Sequence, residues 1–362
     1  MNQVCPAPLE VPRLIHPRHK AVGVCPWIVT IAVLGSLAGC APAPRDAALH
    51  GRTMGTTYSI RLAHADLNQR NLSKLQAAVD ALLNNLNEQM STWRPASDIS
   101  RFNRATAHDP VAISADFAHV VRRSLVIAAA TGGAFDPTVG ALVDLWGFGP
   151  DGLRRAPSPA VIAAARETVG WQRLALSDDG RLSKDIPGLR LDLGAIAKGY
   201  AVDRTAALLR ERGFTDFVVE IGGEILAEGH NADGVPWRVG VLRPDDSGTL
   251  QGVVALTDGH ALATSGDYRN FYRDDAGILR SHIIDPRTAT PVGHAVASVS
   301  VRAPDGLSAD ALATALLVLG PDEGLPLLDA AFPGIEALFL IRQPDGSFSE
   351  IATPWFRLIS AP

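Results

Sequence analysis

Cysteine is missing from residue 41 to the end of the chain; the three present are Cys5, Cys25 and Cys40. The body of the protein therefore has no disulfide, no cysteine nucleophile and no thiolate metal site. Its histidines show no ligand spacing such as HxxxH, which argues against a zinc centre. A GxSxG elbow and a Walker A loop are also lacking, which argues against a serine hydrolase and a P-loop enzyme. There is no excess of positive charge: the formal net charge is −5, and nothing points to a nucleic-acid surface. No short-period repeat and no linker interrupts residues 51–362. With 47% hydrophobic and 20% charged residues, the 362-residue chain is long enough and apolar enough for a large core.

The first forty residues stand apart. Arg13, Arg18 and Lys20 precede an uncharged run from Ala21 to Gly39, which ends at Leu37-Ala38-Gly39-Cys40. A basic region, an apolar region and small residues before a cleavage point make a secretory signal. The cysteine beside that point resembles the lipobox of bacterial lipoproteins, so Cys40 is expected to be the lipid-modified first residue after removal of 1–39. The alternative is an uncleaved anchor, since the run is about long enough to span a bilayer; Pro26 and several glycines weaken it as a helix. The expected address is the periplasmic side of the inner membrane, with residues 41–50 as a short tether. Loss of the basic leader makes the remaining chain more acidic, so acyl chains rather than attraction to anionic lipid would hold it.

Along the body, Thr53 to Leu62 alternates as a strand. Leu72 to Met90 has helical spacing, with Leu75, Val79, Leu82, Leu83 and Leu86 on one face. A polar loop covers 91–103, and a helix is expected from Ala115 to Thr131. A short helix follows at Pro159–Glu167. At the centre, Leu189 to Leu193 reads as a buried strand that breaks at Gly194 into a helix from about Ile196 to Arg212. Strands are expected at Phe217–Ile221, Glu224–Ala227, Trp237–Leu242, Gly252–Leu256, Ala261–Thr264, Arg280–Ile284 and Ser298–Arg302. A helix at Ala309–Leu319 stopped by Gly320 and a hairpin around Asp345-Gly346 complete the pattern. Strands cluster in the second half and helices punctuate it, which predicts an α+β, mixed α/β fold with two lobes rather than a doubly wound sheet.

Several stretches carry candidate chemistry. The strand–Gly–helix junction gathers free N–H groups and a helix dipole, which suits a phosphate; Lys198 sits in the first turn and Asp192 just before it. Many such junctions bind nothing. Asp310 and Thr314 are four apart, so they share a helix face and could both reach a hard cation such as Mg²⁺. An Asp in a first turn also simply complements the dipole, and a Thr often bonds its own backbone. His282, in Ser281-His282-Ile283-Ile284-Asp285-Pro286, is a candidate general base or a half-buried histidine bonded to a carbonyl. The glycine-flanked aromatics of 132–140 and 145–150 could let backbone approach a flat ligand, or form an ordinary turn around a buried Trp. Thr264 to Asn270 could bind ligand or be a surface turn.

The order of these pieces is informative. MGTTYSI (54–60), MSTWRPASDISRFN (90–103), GGAFDPTVG (132–140), LWGFGP (145–150), LDLGAIAKGYAVD (191–203), IGGEI (221–225), ATSGDYRNF (263–271), SHIIDPRT (281–288) and ADALATAL (309–316) together resemble the ApbE family over about residues 51 to 325. These are FAD:protein FMN transferases, many of them periplasmic lipoproteins. The resemblance implies a two-lobed fold related to the tandem T-fold, with FAD bound between the lobes. It also implies Mg²⁺-dependent transfer of FMN from FAD to a threonine or serine hydroxyl of a target flavoprotein, such as a membrane redox complex subunit, with AMP released. Met54 matches the family's flavin-contacting methionine, and Trp93 falls where the family usually has Tyr. Ala134, Phe135 and Asp136 match an FAD-contacting segment, as do Asp192 and Lys198. Ala195 replaces a common Gly or Thr where the family uses the backbone carbonyl as a metal ligand; Asp310 and Thr314 match the other two ligands. His282 matches the proposed base, and Ile283 or Ile284 would line the adenine or flavin pocket. Rival readings are an FAD pyrophosphatase using water as nucleophile and a non-catalytic FAD-binding lipoprotein.

Overall fold

The computed structural model describes residues 46–150, 152, 154–245 and 247–360. The expected signal segment 1–39, Cys40 and the tether up to residue 45 lie outside the described residues. Eight strands build the main sheet: β1 (Ala47–Thr53), β2 (Thr56–Leu62), β3 (Phe217–Ile221), β4 (Glu224–Glu228), β5 (Ala261–Gly266), β6 (Val296–Ala303), β7 (Glu336–Arg342) and β8 (Phe348–Ala352). They lie side by side in chain order, each antiparallel to its neighbours. Among the described residues seven α-helices fill the connections: α1 (Gln69–Met90), α2 (Asp98–Arg104), α3 (Ala115–Ala130), α4 (Gly140–Leu145), α5 (Pro159–Arg166), α6 (Ala197–Glu211) and α7 (Gly306–Ala331). Segregated helices on an antiparallel sheet make the expected α+β class.

The sheet separates two cores. Ala261, Ala263, Ala337 and Phe339 join the main core with α1, α6 and α7. Their chain neighbours Leu262, Leu338 and Leu340 join a second core under the hairpin of Trp237–Leu242 and Leu250–Leu256. A period of two puts successive residues on opposite faces, so strands covered on both sides are apolar throughout. A third, smaller cluster gathers Leu142, Trp146, Ile284 and Ala289. The Trp146 indole N–H donates to the Ala289 carbonyl at 2.9 Å, which makes this ring part of the frame.

The structure departs from the pattern reading in several places, among them the expected strand Arg280–Ile284, which is interrupted between Leu279–Ser281 and Ile284–Asp285. Residues 47–50 belong to β1, not to a tether, and the expected single strand is the second arm of a hairpin turning at Met54-Gly55 with φ of 47° and 73°. The polar loop 91–103 contains α2, capped by Ser97, whose hydroxyl accepts from the Ser100 N–H at 3.1 Å. The glycine-flanked stretch after Phe135 contains α4. Leu189 to Leu193 is buried and alternating but forms only an isolated parallel bridge, Arg190 with Val139, in which the Gly140 N–H donates to the Arg190 carbonyl at 3.0 Å and the Asp192 N–H to the Pro137 carbonyl at 2.9 Å. The Asn103 amide brackets Leu191, accepting from its N–H at 2.7 Å and donating to its carbonyl at 2.9 Å, while Lys184 donates to the Leu189 carbonyl at 2.9 Å. Alternation reports which side is buried and does not reveal what the backbone bonds to. Finally, Gly320 does break α7, with φ 72° and ψ 175°, but Pro321 restarts the helix at once and it runs on to Ala331. Proline suits a first helical turn, where its missing N–H has no partner to lose.

Helices α6 and α7 cap each other. Ile196 provides no capping side chain for α6. Asp310, on α7, accepts the N–H of Gly199 at 2.9 Å in its place. In return Asp203, on α6, accepts the N–H groups of Gly306 and Leu307 at 2.6 and 2.9 Å. Burial pushes the Asp203 carboxyl up to about 7 against those two bonds. The crossing is close because both contact residues are glycine. A Cβ on Gly199 would overlap the Gly306 carbonyl and sit 2.7 Å from the Asp310 Cβ. Ala for Gly inside a helix ordinarily stabilises by about 0.5–1 kcal/mol. Here Gly199→Ala is expected to destabilise by about 1–3 kcal/mol through overpacking, read as a lower urea midpoint at unchanged slope.

Candidate active site

Two adjoining cavities open beside the α6–α7 junction. The larger, of about 810 Å³, is lined by Met54, Asn84, Asn87 and Thr92 among others. The smaller, of about 370 Å³, is lined by Phe135, Phe148, Ala195, Glu224, His282, Asp310 and Thr314 among others. Trp93, Asp192, Gly194 and Lys198 line both. The smaller cavity lies where the Trp146 cluster meets the main core: Val139, Val143 and Ile284 line one side and Phe135 and Ile283 the other.

Lys198 is the second residue of α6. Its Nζ donates to Glu224 Oε1 at 2.9 Å and stands 3.5 Å from Asp310 Oδ1. Burial works against its charge, but Asp310 and Glu224 more than offset this and hold its pKa above the ordinary lysine value. Glu224 is placed by the tight β3–β4 turn at Gly222-Gly223, with φ of 66° and 105°. Its second oxygen, Oε2, is buried and has no partner. Burial pushes the Glu224 carboxyl up, against the pull of Lys198. Asp192 accepts the Gly194 N–H on Oδ1 at 2.7 Å, which shapes the turn into α6, and burial raises its pKa.

Asp310 and Thr314 lie one turn apart on α7, and Ala195 faces the same cavity. The Thr314 hydroxyl bonds Ser265 Oγ at 2.9 Å rather than its own helix. Ala134 and Phe135 are buried against the cavity. The Asp136 carboxylate is already fully engaged: Oδ1 accepts from the Thr138 N–H at 2.8 Å and hydroxyl at 2.6 Å, and Oδ2 from the Trp171 N–H at 3.1 Å. It shapes the turn that presents Ala134 and Phe135. Met54 occupies a left-handed backbone position beside the larger cavity, and Trp93 is 67% exposed above both. Single residues in such conformations cluster where a side chain must be aimed.

His282 is held by the Asn270 carbonyl, which lies 3.0 Å from its backbone N and 3.1 Å from Nδ1. A carbonyl only accepts, so Nδ1 carries the proton and Nε2 keeps a free lone pair. Burial lowers its pKa to about 4, with Lys198 adding to the effect and the Asn270 bond opposing it. The ring is therefore neutral at pH 7. Phe148 meets it edge-on at 6.3 Å.

Phe148, Ser265, Arg269 and Asn270, from stretches that the sequence left open between ligand contact and ordinary turn, line the smaller cavity, and Glu224, given no role from sequence, lines it too. Glu224 had a detectable signal, an acid following two glycines inside an apolar strand pair. Asp136, Asp192, Glu224 and Asp310 bring four carboxylates to the smaller cavity, Asp136 already bonded to its own turn, against the two cations Lys198 and Arg269. Among the described residues no three His, Cys, Asp or Glu side chains gather as a metal cluster. The Asp310 carboxylate and the Thr314 hydroxyl are oxygen donors of the kind a hard cation such as Mg²⁺ takes, and Glu224 Oε2 beside them is buried without a partner.

The ApbE family model matches residues 54–339. A Vibrio cholerae protein named FAD:protein FMN transferase is 41% identical over 333 residues, covering 91% of this chain and 98% of the relative. A Treponema pallidum protein of the same name is 32% identical, covering 79% and 82%. Among solved structures, the flavin transferase ApbE from Vibrio cholerae superposes with a TM-score of 0.77 at 39% identity, covering 86% of this chain and 97% of that one. The apo form of the Pseudomonas stutzeri flavinyl transferase ApbE gives 0.76 at 39% identity, covering 86% and 95%.

The His282 environment sets a pH dependence. Its folded pKa, about 4, lies below the unfolded value of 6.5, so the unfolded chain takes up a proton first as pH falls. The stability this group contributes is complete above pH 6.5 and is lost progressively towards pH 4. Urea midpoints of the wild type are expected to drop more steeply between pH 7 and 4.5 than those of His282→Gln; parallel curves would place the imidazole in solvent.

Proposed function

The chain belongs to the ApbE family, and we propose that it transfers the FMN half of FAD to a threonine or serine hydroxyl of a target flavoprotein, releasing AMP. The observation that carries this reading is the pair of cavities joined at Lys198. A dinucleotide has two flat ring systems linked by a diphosphate, and the cleft has two chambers linked by a cation at a helix N-terminus. Met54 and Trp93 offer packing surface in one chamber; Phe135, Phe148, Ile283 and Ile284 offer it in the other.

Lys198 and the first turn of α6 draw the diphosphate to the junction. Asp192, Glu224 and Asp310 face the same space as Lys198, so added positive charge would favour the entry of a diphosphate. Mg²⁺ held by Asp310, Thr314 and the Ala195 carbonyl would supply it and stabilise the charge that develops on the phosphates. His282 Nε2 receives the proton of the acceptor hydroxyl while Nδ1–H stays on the Asn270 carbonyl. The acceptor oxygen bonds the FMN phosphorus, the bond from that phosphorus to the bridging oxygen breaks, and AMP leaves with the bridging oxygen. General-base help of this kind is typically worth about 10²–10⁴-fold, and holding the hydroxyl in line contributes separately.

The test is mass spectrometry of a candidate acceptor after incubation with FAD and Mg²⁺. A gain equal to FMN on one threonine or serine, matched by AMP, is expected. Equally fast release of free FMN without acceptor would favour the pyrophosphatase instead. Asp310→Asn keeps an oxygen for the Gly199 N–H, so the variant should fold and bind FAD, yet lose AMP release by about 100-fold or more, as removal of preorganised charge stabilisation typically does. Chelation of divalent ions should do the same to the wild type.

For address, we read residues 1–39 as a cleaved signal and Cys40 as the acylated residue, placing the enzyme at the periplasmic face of the inner membrane near membrane redox complexes. The lipobox pattern in the sequence supports this. Cys40→Ser is expected to move the protein from the membrane to the soluble fraction; a variant retained in the membrane would instead indicate an uncleaved anchor.

A further inference from the structure

Beside His282 a small hairpin, Phe271–Arg273 paired with Leu279–Ser281, stands apart from the main sheet and pairs with no other strand among the described residues. Tyr272 turns inward onto Phe148 at 5.5 Å. By alternation Phe271 and Arg273 share the outer face. Phe271 is 39% and Ile278 51% exposed. Three exposed guanidinium groups run along this rim, none with a carboxylate partner among the described residues. Arg154 donates to Asn270 Oδ1 at 3.2 Å, Arg269 to the Gly222 carbonyl at 3.1 Å and Arg273 to the Gly277 carbonyl at 3.0 Å. Two acids on and beside the hairpin are paired, Asp274 with Arg280 at 2.7 Å and Asp267 with Arg342 at 2.9 Å, and Asp275 has no ion pair among the described residues. A locally basic, partly apolar rim on a chain of net charge −5 is a local feature rather than the average surface.

We propose that this hairpin and its arginines form the docking rim for the acceptor protein, which presents its threonine or serine on a segment carrying acidic side chains. The inference rests on the transferase reading above. Asn270 joins rim and chemistry, since its carbonyl fixes His282 and its side chain receives Arg154. A segment lying on the hairpin therefore brings its hydroxyl beside Nε2. The opposite charges steer that encounter and set its register, while Phe271 and Ile278 supply the apolar contact.

Three synthetic 15-residue peptides, each with one threonine flanked by Asp, Asn or Lys, separate the outcomes, with FMN mass gain as the readout. The wild type should label the Asp peptide with a KM lower by about five- to tenfold than the Asn peptide, and this advantage should shrink as salt rises. Arg154→Glu/Arg273→Glu should lose the preference or transfer it to the Lys peptide, with FAD binding and acceptor-independent AMP release unchanged. Phe271→Ser should raise KM for all three. Equal KM values for the three peptides, or a double variant within twofold of wild type at every salt concentration, would overturn the rim while leaving the transferase intact. AMP release from FAD with no peptide labelled would remove the transferase reading, and the rim with it.

Discussion

The structure depends on the exchange of caps between α6 and α7. A helix N-terminus leaves N–H groups unpaired, and two N-termini brought together would ordinarily repel. Here each receives a carboxylate from the other helix, Asp310 for Gly199 and Asp203 for Gly306 and Leu307. Charge-assisted bonds of this kind are stronger than neutral ones and sensitive to geometry. The same Asp310 that closes the helix junction turns its other oxygen towards Lys198 and the cavity. Fold and site thus share one side chain, and the glycine pair at the crossing fixes the depth at which the carboxylate sits.

This arrangement leaves Lys198 clamped between two acids when no anion is present. The clamp keeps a buried ammonium charged, which burial alone would disfavour. On the proposed function, a diphosphate would compete with Glu224 and Asp310 for the same cation, and a compensating divalent ion would ease that exchange.

Much of the local architecture is legible in the sequence, because period and punctuation are local. The α1 stripe, the α6 start after Gly194 and the β3–β4 hairpin at Gly222-Gly223 all lie where the pattern puts them. What escapes such reading is the set of bonds from side chain to distant backbone. Asn103 holds Leu191 across 88 residues, Asp203 holds Gly306 across 103, and Asp310 holds Gly199 across 111. No periodicity marks these partners, yet they are what turn an extended segment and two helix ends into a cleft. The resemblance identified candidate residues one by one; it did not indicate that Asp136 serves its own turn, or that Glu224 faces Lys198.

The site also divides between the main core and the small cluster around Trp146. The anion side is carried by the main core, through α6, α7 and the segment from Leu189 to Leu193. The side bearing His282 is carried by Phe148, Ile284 and the small cluster around Trp146, with the hairpin of Phe271 to Ser281 beyond it. The first side needs fixed geometry, because a helix dipole, a lysine and three acids must keep their spacing for charge to balance. The second is fixed at the Asn270 carbonyl, which accepts from both the backbone N–H and Nδ1 of His282. The surface outside it can vary in charge and shape without disturbing the phosphates. A fold built this way can keep one dinucleotide chemistry while changing the proteins it acts upon, since the residues that would choose a partner lie outside the network that holds the helices together.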